Sequence, residues 1–450
     1  MGTPPTWRAS EAVHSLQDEI LTKTPRSQYS SGMRLLNGLA DALPAGSARR
    51  PVLMLALGAF ALGTDAFVIS GVLPRIASDL GVTLSRAGLL ITVFSGVYAL
   101  AAPLMAVATG TASRRKILMV SLACFTAANV LAAIAPSFGM MIVARAAAAL
   151  VAGLYMPAAS ATAATVAPAS ERGRALAAVL SGLTVATALG VPLGTLIGQG
   201  LDWRYTFLFV AALSTIAWGA LARALPPVPP AAIVSIGDRL AAVTIPGVPG
   251  ALTVTGVAVM GVFSVYTYLA WFASETAQLE GVSITVIYFV FGVCAVASNL
   301  LSGWLIDRHP PRRIVTFSLS GMVIVFGALW LFSRATLPRP TAVVLLTALV
   351  ACWAVVGWMF APAQQKRLLH MAGPLGTIVL SLNSSAIYLG QAAAGILGGA
   401  LLNRGPRMLT LVAAGCEVAA MVIFAITIAG QDAAPGVPDS PVESAPHWGD

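Results

Sequence analysis

Charge is what this chain has least of: Asp, Glu, Lys and Arg together make up 10% of its 450 residues, while 58% are hydrophobic. With a mean hydropathy of +0.85, a water-soluble domain is excluded, because such domains carry roughly a quarter of their residues as charged groups. Histidine is scarce too. His14, His309, His370 and His447 fall in tails or loops, with no His/Asp/Glu cluster, Ser/His pair or metal-ligand spacing around them. That argues against an enzyme and against a bound metal. Cys124, Cys294, Cys352 and Cys416 lie inside apolar runs without pairing pattern and read as small packing residues. No GxxxxGK[ST] phosphate loop occurs, so ATP is not the expected energy source. The residues before Pro51 are polar, and no cleavable signal peptide is visible among them. A net charge of +9 would point to nucleic acid in a soluble protein. Here the basic residues punctuate apolar segments, so they read as topological and no nucleic-acid partner is expected.

What is present is a series of apolar segments long enough to span a bilayer. They fall at about 52–73, 87–108, 116–135, 138–165, 173–197, 204–223, 250–273, 285–306, 312–333, 340–362, 374–402 and 408–429. The chain is thus read as an all-α polytopic membrane protein with a mobile tail over 1–49, a six-helix bundle over 50–223, a linker over 224–249, a second six-helix bundle over 250–430 and a tail over 431–450. Pro226, Pro227, Pro229 and Pro230 mark the linker. Arg114, Arg115, Lys116, Arg172, Arg174, Arg223, Arg239, Arg308, Arg312, Arg313, Lys366 and Arg367 fall in loops on one side. The other side holds the fewer Arg75, Arg86, Arg204, Arg334, Arg339, Arg404 and Arg407. The positive-inside bias puts both termini and the linker in the cytoplasm.

In the fifth segment, GLTVATALGVPLGTLIGQ, Gly182, Ala186, Gly190, Gly194 and Gly198 recur at every fourth residue. On a helix they form one ridge of small residues that lets a neighbouring backbone come close. Pro192 removes a backbone N–H and its bond to the carbonyl four residues earlier, so a bend is expected there. Ala386, Gly390, Ala394 and Gly398 repeat the ridge in the second half, and Asp307–Arg313 echoes the basic loop Ser113–Lys116. Such parallel repeats allow two bundles to rock about a shared central cavity.

The arrangement GxxxxxxxGxPxGxxxG resembles the fifth-helix antiporter motif of the major facilitator superfamily. With TDAFVISGVLPRIASDLG, DWRYTF, VYTYLAWF and SLNSSAIYLG, residues 50 to 430 look like the twelve-helix drug/proton antiporter branch, close to bacterial chloramphenicol, sugar and purine-nucleoside exporters. The resemblance implies a major facilitator fold of two pseudo-symmetric bundles around a central cavity. It also implies export of a small, partly apolar molecule driven by inward proton flow, with no cofactor. The expected partners are that substrate, the proton and the lipid bilayer, with the chain a monomer in a bacterial inner membrane. Proton-coupled uptake by the same fold is the alternative, and a non-transporting receptor or membrane enzyme a weaker one.

Ionisable groups inside membrane helices are costly and need a reason. Asp65 sits about eight residues, roughly 12 Å, from the outer end of the first segment, and Arg145 enters the fourth to a similar depth. The two are placed to meet. Burial and a nearby guanidinium oppose one another in setting a carboxyl's proton affinity, so movement of the arginine or arrival of a cation would switch it. This makes Asp65 and Arg145 the candidates for proton coupling, with a static ion pair as the alternative. Glu417, near mid-depth in the last segment, reads as a structural or lipid-adjacent acid, a second proton carrier or a cation site.

Asn383, Tyr388 and Gln391 put polarity into an otherwise apolar helix and, with Tyr98, Tyr155, Tyr266, Tyr268 and Trp271, are candidates to line a substrate cavity. For the cytoplasmic gate the resemblance points to Arg114 and Arg115 after the second segment, and to Asp307, Arg308 and Arg312 after the eighth. Gly110 stands where the first copy's acid is expected, which shifts the weight of the gate to the second copy.

Overall fold

The computed structural model describes residues 48–108, 112–226, 228 and 236–432. The tails, most of the linker's proline run and Gly110 therefore lie outside the described residues. Twelve helices carry the fold: α1 (Arg49–Asp79), α2 (Leu89–Ala108), α3 (Arg114–Ala133), α4 (Phe138–Val166), α5 (Arg172–Val185, continued by Val191–Gly200), α6 (Trp203–Ala224), α7 (Val248–Thr267, continued by Leu269–Ala277), α8 (Ser283–Arg308), α9 (Pro311–Phe332), α10 (Arg339–Trp358, continued by Phe360–Ala372), α11 (Gly376–Leu401) and α12 (Pro406–Asp432). Among the described residues, eleven helical stretches are long and apolar enough to cross a membrane, and one of them, the 66-residue Arg339–Arg404, supplies two spans. The chain reverses inside it at Gly373, whose φ of 49° favours glycine. From either side of that turn, Gln364 and Asn383 both reach Thr255.

Polar caps start several helices. Ser137 accepts a hydrogen bond from the Met140 N–H to open α4, and Asp202 accepts one from the Arg204 N–H to open α6. The face where α1 begins is called here the near face, and the opposite one the far face.

The glycine ridges decide which helices pair. A Cβ on Gly182 would collide with the Ala56 carbonyl, one on Gly190 with Thr64, and one on Gly198 with Val72, so α5 lies directly on α1. In the second bundle Gly390 meets the Gly256 carbonyl and Gly398 the ring of Tyr268, so α11 lies on α7 in the same way. The repeat in the sequence thus becomes a repeat in the packing.

Three local features depart from expectation. The irregularity in α5 is a π-helical turn, Ala186–Gly190, placed before Pro192 rather than at it. One wider turn accommodates the proline ring and its missing N–H without a break at the residue itself. The seventh span is interrupted at Tyr268, between its two helical pieces. The linker contains a short helix, Ile236–Thr244, whose Ala242 is buried with Val248 and Leu368 of the second bundle.

The buried cores mark where the bundles meet. On the far half a single apolar cluster joins Ile69, Val72 and Leu90 of the first bundle to Tyr266, Phe291 and Trp353 of the second. Toward the near face the cores separate, with Leu55, Phe125 and Val179 in one and Val254, Leu319 and Phe424 in another. The molecule is therefore closed between bundles on the far side.

Candidate functional site

α1 and α4 bring Asp65 and Arg145 together. Arg145 Nη1 donates to Asp65 Oδ1 at 2.7 Å, and the side chains are 1% and 0% exposed. Phe94 of α2 lies against the guanidinium at 4.3 Å from its ring centroid, with Phe207 of α6 at 6.0 Å. Aromatic faces attract a cation in a dry site. Asp65 Oδ2 and the Arg145 Nε and Nη2 atoms have no partner among the described residues. A carboxylate and a guanidinium can form two parallel hydrogen bonds. Here one bond forms and three polar atoms are left over.

The seam between bundles runs along two helix pairs. Across α2 and α11, Thr92 donates to the Ala392 carbonyl at 3.0 Å, Ser95 to Gln391 Oε1 at 3.3 Å and Ser385 to the Ala99 carbonyl at 3.1 Å. Across α5 and α8, Asn299 Nδ2 donates to Thr184 Oγ1 at 3.2 Å. A Cβ on Gly292 of α8 would collide with the Thr187 carbonyl, placing the π-helical turn of α5 against α8.

The residues expected to line a cavity lie in this closed seam or behind it in the far-closed arrangement. Tyr98 and Tyr388 stack across the seam with centroids 3.7 Å apart. Gln391 is buried on Ser95, and Asn383 turns away to accept from Thr255. Tyr155 is sealed between α4 and α1, its hydroxyl donating to the Leu55 carbonyl where Gly58 makes room. Tyr266 is enclosed by the rings of Phe67, Phe263, Tyr288, Phe291 and Trp353. Tyr268 donates to the Gly395 carbonyl at 2.7 Å, and Trp271 is half-buried. Far-face closure brings Tyr98 onto Tyr388 and Tyr266 into its aromatic cluster, while Tyr155 and Asn383 are held within their own bundles.

The near-face basic residues are tied to helix ends. Arg114 donates to the Ala161 carbonyl and to Thr165, and Arg115 to the Ala222 carbonyl. A hollow of about 530 Å³ opens beside Arg115 and Arg223. Asp307 lies 3.9 Å from Lys366 of α10, whose Nζ also donates to the Ile306 carbonyl. Arg308 stacks over Trp304 at 4.0 Å, and Arg312 begins α9.

Several residues at these contacts carry no pattern in the sequence. Phe94 and Phe207 flank the ion pair, Phe67, Phe263, Phe291 and Trp353 fill the seam, and Thr255 with Gln364 completes the buried polar group around Asn383. Isolated aromatics in apolar runs are ordinary core residues until their neighbours are known. Gln364, an amide just past the tenth apolar segment, does not stand out either, although its polarity there is the one signal available.

Two six-helix bundles joined along a zipped seam, the first holding a buried ion pair, define a multi-pass membrane transporter. A family model described as Major Facilitator Superfamily matches residues 55–377. The chain belongs to that superfamily. It is 33% identical over 384 residues to a chloramphenicol resistance protein of Streptomyces lividans, covering 83% of this chain and 95% of the relative. It is 30% identical over 376 residues to the inner membrane transport protein YdhP of Escherichia coli K12, covering 84% and 95%. A probable sugar efflux transporter of Helicobacter pylori is 28% identical over 352 residues, covering 78% and 87%. Among solved structures, human MFSD10, titled an organic anion transporter, aligns with a TM-score of 0.62 at 16% identity, over 84% of this chain and all of that one. A bacterial homologue of the lysosomal transporter Spinster, titled inward-facing and unoccupied, aligns at 0.60 and 16% identity, over 86% and 96%.

Proposed function

We propose that this transporter exports a small, partly apolar molecule in exchange for protons, by alternating access of a site between the bundles. The observation that carries the reading is the Asp65 and Arg145 pair, fully buried and joined by one hydrogen bond. A singly bonded carboxylate in a dry site changes its proton affinity when the guanidinium moves, and α1 and α4 belong to the bundle that rocks. Proton uptake at Asp65 would loosen the pair, and release would restore it. Resistance and efflux relatives among the similar chains support the outward direction. The near face is then cytoplasmic, as the basic loops suggest, and the membrane a bacterial inner membrane.

The test is transport by the full chain in proteoliposomes. Chloramphenicol, a purine nucleoside and a sugar are each loaded under an imposed pH gradient, with intravesicular pH followed by pyranine. Export predicts that at least one compound moves against the proton flow and that Asp65→Asn abolishes the pH dependence. Movement of compound and proton in the same direction, or unchanged pH dependence in Asp65→Asn, overturns it.

A further inference from the structure

A second buried acid has no counter-ion. Glu417 of α12 is 0% exposed, and neither carboxyl oxygen has a hydrogen-bond partner among the described residues. α12 packs against α7 and α9. The surface covering Glu417 on α7 is Gly261, where a Cβ would stand 2.9 Å from Glu417 Oε1 and 3.0 Å from the Ala413 carbonyl. Glycine is what lets the α7 backbone close over the acid.

No charge faces it from the neighbouring elements. On α7, Tyr266 points into the aromatic seam and Tyr268 to Gly395. The continuation of α7 carries only the exposed Glu275, and α9 has Arg312 and Arg313 at its near-face start. Arg367 of α10 lies over Phe424 at 4.7 Å, about 10 Å along α12 from Glu417. On α12 itself the adjacent titratable group is the buried Cys416. A carboxylate stripped of water and given neither donor nor cation is the most disfavoured state of that side chain.

We propose that Glu417 is a second proton-binding site, and that loading it is a condition for α7 to close on α12. The helix that covers Glu417 is also the one that seals the far face, through Tyr268 on Gly395 and against Gly88. When the far face opens, α7 lifts at Gly261 and water reaches the acid, which ionises. Binding a proton from that side removes the charge and lets α7 return. The site lies in the other bundle from Asp65 and goes beyond the coupling role proposed for that residue.

The experiment measures far-face distance by pulsed electron resonance between spin labels at Ser78 and Glu280, both exposed, in the full chain in lipid nanodiscs. An Asp65→Asn background removes the first acid. There, raising pH is expected to increase the far-open population, with a slope of up to about tenfold per pH unit for one linked proton. Adding Glu417→Gln, which keeps size and neutrality, is expected to flatten the response. A response unchanged by Glu417→Gln overturns the proposal, as does an Asp65→Asn chain that does not respond to pH. Should the double variant not fold, infrared spectroscopy of the Asp65→Asn chain decides. A protonated-carboxyl carbonyl band that fades over the pH range of the distance change supports the site, and absence of a titrating band overturns it. Neither readout needs a substrate, so failure here leaves the export reading standing.

Discussion

Asp65 and Arg145 hold each other across α1 and α4 through one 2.7 Å hydrogen bond, in a place where neither is exposed by more than 1%. Removing one member of such a pair strands the other, at a cost of about 3–5 kcal/mol. Asp65→Asn and Arg145→Gln are each expected to lower stability by that order. The double variant should lose clearly less than the sum, because no lone charge remains. Thermal unfolding in detergent, followed by tryptophan fluorescence, measures the cycle, and additive losses would show that the two act independently.

The three atoms nearest a Cβ at Gly190 all belong to the side chain of Thr64. Gly190→Ala should therefore push α5 off α1 and cut folded yield, while Thr64→Gly in the same chain restores it. Gly182 offers no such remedy, since its obstacle is the Ala56 backbone carbonyl. Yield by fluorescence-detected size exclusion separates the two cases. Rescue of Gly182→Ala by side-chain truncation at Ala56 or Ala59 would contradict the packing.

Gly292 touches the α5 backbone across the seam. A methyl group there is incompatible with the closed contact between α5 and α8, yet leaves each bundle's own core alone. Gly292→Ala is expected to fold and to shift the equilibrium away from the far-closed arrangement. Labels placed as for the Glu417 experiment should read the longer distance as the major population. An unchanged distance would mean the seam closes by another route.

Asp307 and Lys366 are 3.9 Å apart, with side chains 80% and 35% exposed. Pairs in that setting contribute about 0–1 kcal/mol. Asp307→Asn should change the melting temperature little, and 0.5 M salt should change it no further. A loss of several degrees would mean that the loop after α8 locks neighbouring helices as the family resemblance implies.

Hydropathy made the twelve spans legible, since each is a long apolar run with at most a few charges. The small-residue ridges also marked α5 and α11 as helices that admit a close backbone, while their partners, α1 and α7, came only from the structure. Depth counting put Asp65 and Arg145 at one level, and the structure has them in contact. The helix interruption at Tyr268 was not legible, because Thr267 to Leu269 is as apolar as its surroundings and holds no glycine or proline. Nor was the position of the π-helical turn, which the proline imposes on the residues before it. Composition gave the tyrosines polarity to spare for a cavity. Whether they line space or fill it depends on which face of the molecule is closed, and a sequence carries no record of that.

Part of the seam is made of backbone and small groups: Gly292 on the Thr187 carbonyl, Gly395 beside Thr92 and the Gly88 carbonyl, and a few hydroxyls reaching main-chain oxygens. At those contacts no long side chains interlock, so parting them asks for few rotamer changes, and of the rings that meet across the seam, Tyr98 on Tyr388 and Phe67 on Phe263 lie face to face rather than interdigitated. The barrier to unzipping is then set by the loss of a handful of polar bonds and by admission of lipid or water. A bulky substitution in the bundle interior would be felt as lost stability, whereas the same change at a seam glycine would be felt as a carrier stalled on one side of its cycle.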